Sequence, residues 1–233
     1  MKISIIGLGR FGESLGEVLA KDGHFIHGTT RTENKINLLK IKNLNPSLLT
    51  YPNAPSFNLD NDITVLNIPP FDQQLEWFKS WNWNVNTKII LISSTSVYPT
   101  PNSPSAEILK NEEEWIKSTF PTFAILRFGG LYSESFHPGK YLSGKQNLPG
   151  RLWPVNLVHL QDAVSFTKVV IDQGLYSRTL HVICNEHPTR EKYYTDYCLK
   201  EGLPIPHFDP GDFSTKLPVP SEEASTFFKF IPL

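Results

Sequence analysis

The residues best suited to chemistry lie at the start of the chain, in Gly7-Leu8-Gly9-Arg10-Phe11-Gly12. Three glycines in this spacing let backbone close on a diphosphate. Gly7 permits a tight turn, Gly9 lets the chain approach the phosphates, and Gly12 lets a helix pack tightly on a strand. A helix opening at that point adds N–H groups and a positive dipole end. About twenty residues on, a site for NAD wants Asp or Glu to hold the ribose 2′-hydroxyl. The chain offers Gly28-Thr29-Thr30-Arg31-Thr32 instead, with no carboxylate before Glu33. Arg31 stands where a 2′-phosphate would lie, and guanidinium pairs with phosphate. NADP is therefore expected as cofactor in preference to NAD. Metal chemistry has no support: His24 and His27 lie on a strand with no Cys or acidic cluster at ligand spacing. Nor does Ser94 sit in a GxSxG nucleophile turn.

The elements that must position these residues follow from hydrophobic periodicity. Residues 2–6 are mostly aliphatic, as in a strand buried on both faces. Leu15, Val18 and Leu19 then mark one face of a helix from Ser14 to Lys21, ended by Gly23, and His24 to Gly28 reads as a second strand. A weakly marked third strand falls near Ser47 to Tyr51, and a fourth runs from Asp62 to Asn67 before Pro69-Pro70. Phe71 to Trp81 is expected as helix, Lys88 to Ser93 as strand, Glu107 to Thr119 as helix and Thr122 to Arg127 as strand. This alternation predicts an α/β fold, a doubly wound parallel Rossmann sheet, with a small C-terminal substrate-facing lobe. The expected division is 1–128 for the dinucleotide-binding core and 129–233 for a mixed region, part of which completes the core. Beyond Gly129 the expected elements are short: Val155–Leu160, Ala163–Asp172, Leu180–Cys184 and Glu191–Lys200.

Composition narrows the classes. The chain has 233 residues, 12% of them aromatic, enough for one large domain or a main domain with an appendage. A formal net charge of -1 and the absence of a basic block argue against a nucleic-acid partner. No apolar run is long enough to span a bilayer, and the N-terminus enters a strand without a secretory signal. Cys184 and Cys198 are the only cysteines and are read as reduced thiols, so a cytoplasmic protein with a small-molecule partner is expected.

Three further stretches carry a family resemblance: Ser93-Ser94-Thr95-Ser96-Val97-Tyr98, Leu126-Arg127-Phe128-Gly129-Gly130-Leu131-Tyr132, and Pro154 to Val164 around Asn156-Leu157-Val158-His159-Leu160-Gln161-Asp162. With the glycine turn, and in this order over most of residues 1–170, they resemble the extended short-chain dehydrogenase/reductase superfamily. The likeness is to its nucleoside-diphosphate-sugar epimerase and dehydratase group, and to an atypical branch of it. The resemblance implies that Gly7, Gly9, Arg10, Phe11 and Gly12 line a pyrophosphate and that Thr30 and Arg31 hold the adenosine side. It implies that Asn67, Ile68 and Pro69 pass beside the cofactor. It places Ser93 and Ser94 at the nicotinamide end, with Phe128, Gly129 and Gly130 closing over it. It also implies a substrate-facing stretch with Tyr132, His137, Lys140 and Lys145, where His137 titrates near neutrality and a lysine, or Arg151, grips a phosphate. The superfamily commonly dimerises through helices flanking the sheet.

The family's proton relay uses a Ser or Thr with a Tyr and a Lys spaced YxxxK. Lysine and cofactor together lower the tyrosine's pKa from about 10. Ser94 matches the serine and Lys110 the lysine, but Ala106 stands in the tyrosine's place and the loop Pro99 to Ser105 is short. Tyr98 is the nearest replacement in sequence. Two readings stay open: an NADP-dependent epimerase, dehydratase or reductase with an altered proton donor, and a sensor that binds NADP without catalysis. The glycine turn alone also looks like a potassium-channel regulatory domain. Such a domain should carry an acidic residue after the second strand and lack the SSTSVY and NLVHLQD stretches.

Overall fold

The computed structural model describes residues 1–55, 59–101 and 103–233. In chain order the helices and strands begin with β1 (Lys2–Ile6), α1 (Arg10–Lys21), β2 (Phe25–Thr30), α2 (Ile36–Ile41) and β3 (Pro46–Leu48). They continue with β4 (Ile63–Leu66), α3 (Gln74–Lys79), β5 (Lys88–Ser94), α4 (Pro104–Thr119) and β6 (Phe123–Phe128). The remainder comprises β7 (Gly130–Tyr132), α5 (Pro138–Leu142), β8 (Leu157–His159), α6 (Leu160–Gln173), β9 (Arg178–Val182), α7 (Arg190–Lys200) and α8 (Glu222–Ser225). No helix among the described residues is long and apolar enough to cross a membrane.

A seven-stranded sheet runs in the order β3-β2-β1-β4-β5-β6-β9, the arrangement of a Rossmann-type fold. Its pairs β2–β3, β1–β2, β1–β4 and β4–β5 are parallel. The chain leaves β1 for β2 on one side and later returns to β4 on the other. The carboxyl ends of β1 and β4 therefore flank a topological switch point, where such sheets form a ligand crevice. β1 and β4 are aliphatic because both faces are covered: Ile3, Ile5, Ile6, Ile63, Val65 and Leu66 are all buried. On one face Ile6, Leu66 and Leu91 pack with Trp77, Phe78, Ile116 and Phe120.

Helix boundaries have local causes. α1 starts at Arg10, four residues before the expected start at Ser14, because Gly9 caps it directly after the glycine turn and the Glu13 amide donates to the Gly9 carbonyl at 2.9 Å. α4 starts at Pro104 rather than Glu107, since Ser103 Oγ accepts the Ala106 amide at 3.2 Å and proline suits a first helical position. α3 covers only Gln74–Lys79 of the expected 71–81, and the third strand is shorter than expected and begins one residue earlier. The loop expected to be short, Pro99 to Ser105, includes Asn102, which lies outside the described residues.

The contacts divide the chain into two units, Met1–Arg127 with Ala163–Leu180, and Phe128–Asp162 with His181–Leu233. In the second unit β7 pairs in parallel with β8, with Leu131 opposite Val158. Gly129 is required there by packing, because a β-carbon would lie 2.6 Å from the Asn156 carbonyl oxygen and from Ile183 Cγ2. Leu142, Val155, Leu157, Tyr194 and Phe208 form that unit's apolar cluster.

Candidate functional sites

The first site is built around the glycine turn. Gly7 has φ +109°, its amide donates to Thr29 Oγ1 at 3.0 Å, and a β-carbon on it would fall 2.2 Å from the Asn67 carbonyl oxygen. Asn67 Nδ2 donates back to the Gly7 carbonyl at 3.0 Å, and the Leu8 amide donates to the Thr29 carbonyl at 2.6 Å. Residues that end β1, β2 and β4 thus clamp the turn from both sides. A β-carbon on Gly12 would meet the Gly7 carbonyl oxygen at 2.2 Å, so helix and turn touch backbone to backbone. Gly9 differs: nothing lies within 4 Å of the place its β-carbon would take. Its exposed α-carbon faces open space at the amide end of α1, which is the cradle a diphosphate needs.

That space belongs to a cleft of about 570 Å³. Gly7, Gly9, Thr30, Arg31, Asn67, Ile68 and Pro69 line it together. Arg10 is exposed and Phe11 buried in the first turn of α1. Arg31 is exposed at the rim and makes no hydrogen bond or ion pair among the described residues. Thr30 is buried and uses its Oγ1 to accept the Thr32 amide at 3.2 Å, which shapes the turn carrying Arg31. Sequence reasoning passed over Lys35, also on the cleft, whose Nζ lies 3.7 Å from Glu13 Oε2. It also passed over an aromatic wall of Tyr51, Phe71 and Trp77. The Tyr51 ring centroid lies 5.5 Å from that of Phe71 and 5.8 Å from that of Trp77. Tyr51 Oη donates to Gln73 Oε1 at 2.6 Å, and Trp77 Nε1 donates to the Asn53 carbonyl at 2.8 Å, so two of the rings are fixed. An open glycine cradle, a cation at the end of β2 and a cluster of mutually inclined aromatic rings fit the diphosphate and adenosine of a dinucleotide.

The hydroxyls that end β5 have separate tasks. Ser93 is buried and donates to Glu113 Oε1 at 2.7 Å. Glu113, fully buried on α4, also receives Arg127 Nε at 2.8 Å and Nη2 at 2.6 Å, a fork matched to its two oxygens. Ser94 is half-buried, and its Oγ accepts the Ser96 amide at 3.1 Å, which leaves its own proton for another acceptor. Ala106 is fully buried against Val97 and Leu109. Lys110 turns to the surface, with Nζ 3.2 Å from Glu114 Oε1, and no hydrogen bond joins it to Ser94 among the described residues. Tyr98 is exposed.

The second unit holds its own cavity, of about 890 Å³. His137 is its most constrained member. Its Nδ1 accepts the Gly139 amide at 3.0 Å and caps α5, so the proton sits on Nε2, which donates to Tyr193 Oη at 3.0 Å. The ring stacks on Tyr197 with centroids 3.6 Å apart and meets Tyr132 edge-on at 5.4 Å. Gly139 makes the stack possible, because a β-carbon there would fall 2.2 Å from Tyr197 Cδ1. Burial first, then the Lys140 charge, pushes the His137 pKa down to about 4. Burial pushes Tyr132 up to about 12 and raises Tyr193 as well, so both phenols keep their protons. Of the residues expected to face substrate, Tyr132 and His137 line this cavity, whereas Lys140 and Lys145 lie outside its lining. Lys140 Nζ donates to the Glu134 carbonyl at 2.9 Å, Lys145 Nζ lies 3.3 Å from the Tyr141 ring centroid, and Arg151 is held by Glu191. Tyr193 and Tyr197 were missed, although their i, i+4 spacing on α7 marks a shared helical face.

The architecture defines a class at the level of fold, a Rossmann-type α/β sheet with a ligand crevice at its switch point. A family model described as "NADP oxidoreductase coenzyme F420-dependent" matches residues 2–95. Among curated proteins the chain is similar to protein YeeZ of Escherichia coli K12, 27% identical over 237 residues, covering 89% of this chain and 86% of that one. Among solved structures it resembles UDP-glucuronic acid 4-epimerase from Bacillus cereus in complex with NAD. The TM-score is 0.73 at 17% identity, covering 100% of this chain and 94% of that one. It likewise resembles a short-chain dehydrogenase/reductase superfamily protein from Agrobacterium tumefaciens with bound NAD, TM-score 0.72 at 14% identity, covering 99% and 93%. At these identities the solved structures establish the shared fold.

Proposed function

We propose that the chain binds a nicotinamide dinucleotide in the glycine cleft, takes NADP(H) in preference to NAD(H), and acts on a hydroxyl or carbonyl group as an epimerase, dehydratase or reductase. The observation that carries this reading is the Arg31 guanidinium, unengaged at the rim of a cleft whose Gly9 cradle is open. Lys35 adds a second cation on the same rim, and no carboxylate ends β2 to receive a ribose hydroxyl. The matched family model and the NAD complexes of the structural relatives support the cofactor class. A nicotinamide in this fold supplies or accepts hydride. The chain's own part is to bind and orient the dinucleotide and to offer Ser94, whose oxygen accepts the Ser96 amide and keeps its own proton for donation. Ala106, packed into the core, and Lys110, paired with Glu114, remove the usual tyrosine–lysine relay. That observation favours a second reading, an NADP sensor without turnover.

Stereospecific hydride exchange separates the two. Incubation with [4-²H]NADPH and a panel of aldehydes, ketones and sugars should transfer deuterium to one panel member. Ser94→Ala should slow that transfer by about 100-fold, the scale of a lost proton-transfer group, with NADPH affinity unchanged. NADPH binding with no transfer across the panel would favour the sensor.

A further inference from the structure

We propose that the cavity of the second unit is a binding site for an uncharged, oxygen-rich ring, a free sugar or similar polyol, recognised without any phosphate group. This deepens the substrate side of the reading above and rests on it only for calling the ligand a substrate.

Hydrogen-bond polarity leads the argument. The Gly139 amide occupies His137 Nδ1, so Nε2–H must be the donor to Tyr193 Oη. Tyr193 oxygen is thereby used as an acceptor, and its own proton has no acceptor among the described residues. The Tyr132 hydroxyl likewise makes no hydrogen bond among them. The cavity therefore presents phenolic donors that need oxygen acceptors from a ligand. The cationic head of an organic ammonium has no lone pair to accept these protons and leaves them unanswered. The stacked pair His137–Tyr197, with Tyr193, gives a flat aromatic surface suited to the apolar face of a sugar ring.

Charge then excludes phosphate. Glu134, Glu186, Asp196 and Glu201 supply four carboxylates to the lining, against two lysines, Lys192 and Lys200. Lys192 is already bound to Asp196 at 2.6 Å. The nearby cations that would suit a phosphate are engaged elsewhere: Lys140 on a backbone carbonyl, Lys145 over Tyr141, Arg151 on Glu191. A nucleoside diphosphate would meet a lining of its own sign, whereas carboxylates are good acceptors for sugar hydroxyls.

The test is calorimetric titration with saturation-transfer NMR on the full chain, without dinucleotide. The probes are free hexoses and N-acetylhexosamines, their 1-phosphates, their nucleotide conjugates, and choline. Free sugars should bind, phosphorylated forms should bind no tighter, and choline should not bind. Tyr193→Phe keeps the ring packing and should weaken sugar binding by about tenfold, the value of one hydrogen bond. Tyr132→Phe should act in the same direction and serves if the first variant is unstable. The proposal fails if phosphorylated sugars bind at least about tenfold tighter than free ones, if choline is preferred, if no sugar binds, or if neither variant changes affinity. NADPH titration of the same preparation reports separately on the cofactor reading.

Discussion

Three glycines of one motif make separable demands. Gly12 is fixed by packing, since a β-carbon would overlap the Gly7 carbonyl at 2.2 Å. Gly12→Ala should cost about 2 kcal/mol or more, as forced overpacking does, and a denaturant melt reads it. Gly9 is not fixed by packing, since none of the described residues lies within 4 Å of where its β-carbon would be. Gly9→Asp should leave the melt nearly unchanged, because Asp is a good helix cap, yet abolish dinucleotide binding by placing a carboxylate where phosphates dock. At the second cavity, His137 should titrate near pH 4 in an NMR pH series, well below the ordinary histidine range of about 6.5. Its folded pKa is depressed, so folding loses stability as pH falls from about 6.5 through about 4. His137→Gln should remove that acid limb.

Helix α4 shows how much one element can hide. Its buried face carries Ala106, Leu109, Glu112, Glu113 and Ile116, two carboxylates among apolar residues. Glu113 is satisfied by Ser93 and Arg127, but neither oxygen of Glu112 has a hydrogen-bond partner among the described residues, and burial raises its pKa to about 8. The folded state thus holds a proton that the unfolded chain releases near pH 4.5. This contribution is intact below about pH 4.5, declines as pH rises, and levels off above about pH 8. Glu112→Gln should flatten that alkaline decline and raise stability above pH 8 by a few kcal/mol, at about 1.4 kcal/mol per pKa unit; urea melts from pH 5 to 9 measure it. The run EEE at 112–114 reads in sequence as a solvated charge face, and only packing against the sheet separates Glu112 and Glu113 from the exposed Glu114. By contrast, β1, the glycine turn, α1 and β2 were legible because their signals are local: an aliphatic run, glycines, a 3.6-residue period. Tyr51, Phe71 and Trp77 were not, since they join the cleft from positions far along the chain from the turn. β7 and α5 carry no periodic signal because they are only three and five residues long.

At the scale of the whole molecule, each of the two units carries a cavity with its own chemistry. The first unit's cleft has a cationic rim and a phosphate-sized cradle, and the second unit's cavity has phenols and carboxylates. A dinucleotide that binds only the folded chain stabilises it by mass action, about 2.7 kcal/mol at a hundredfold excess over Kd. Thermal melting is therefore a direct readout of the cleft. The deciding measurement is titration of the wild type and Arg31→Ala with NADPH and NADH, followed by thermal shift. NADPH should raise the wild-type midpoint well above NADH, and Arg31→Ala should cut NADPH affinity by about 10- to 100-fold, the value of a charge-assisted contact, while leaving NADH nearly unchanged. A wild type that ignores both dinucleotides, or an Arg31→Ala chain that still prefers NADPH as before, would contradict the account.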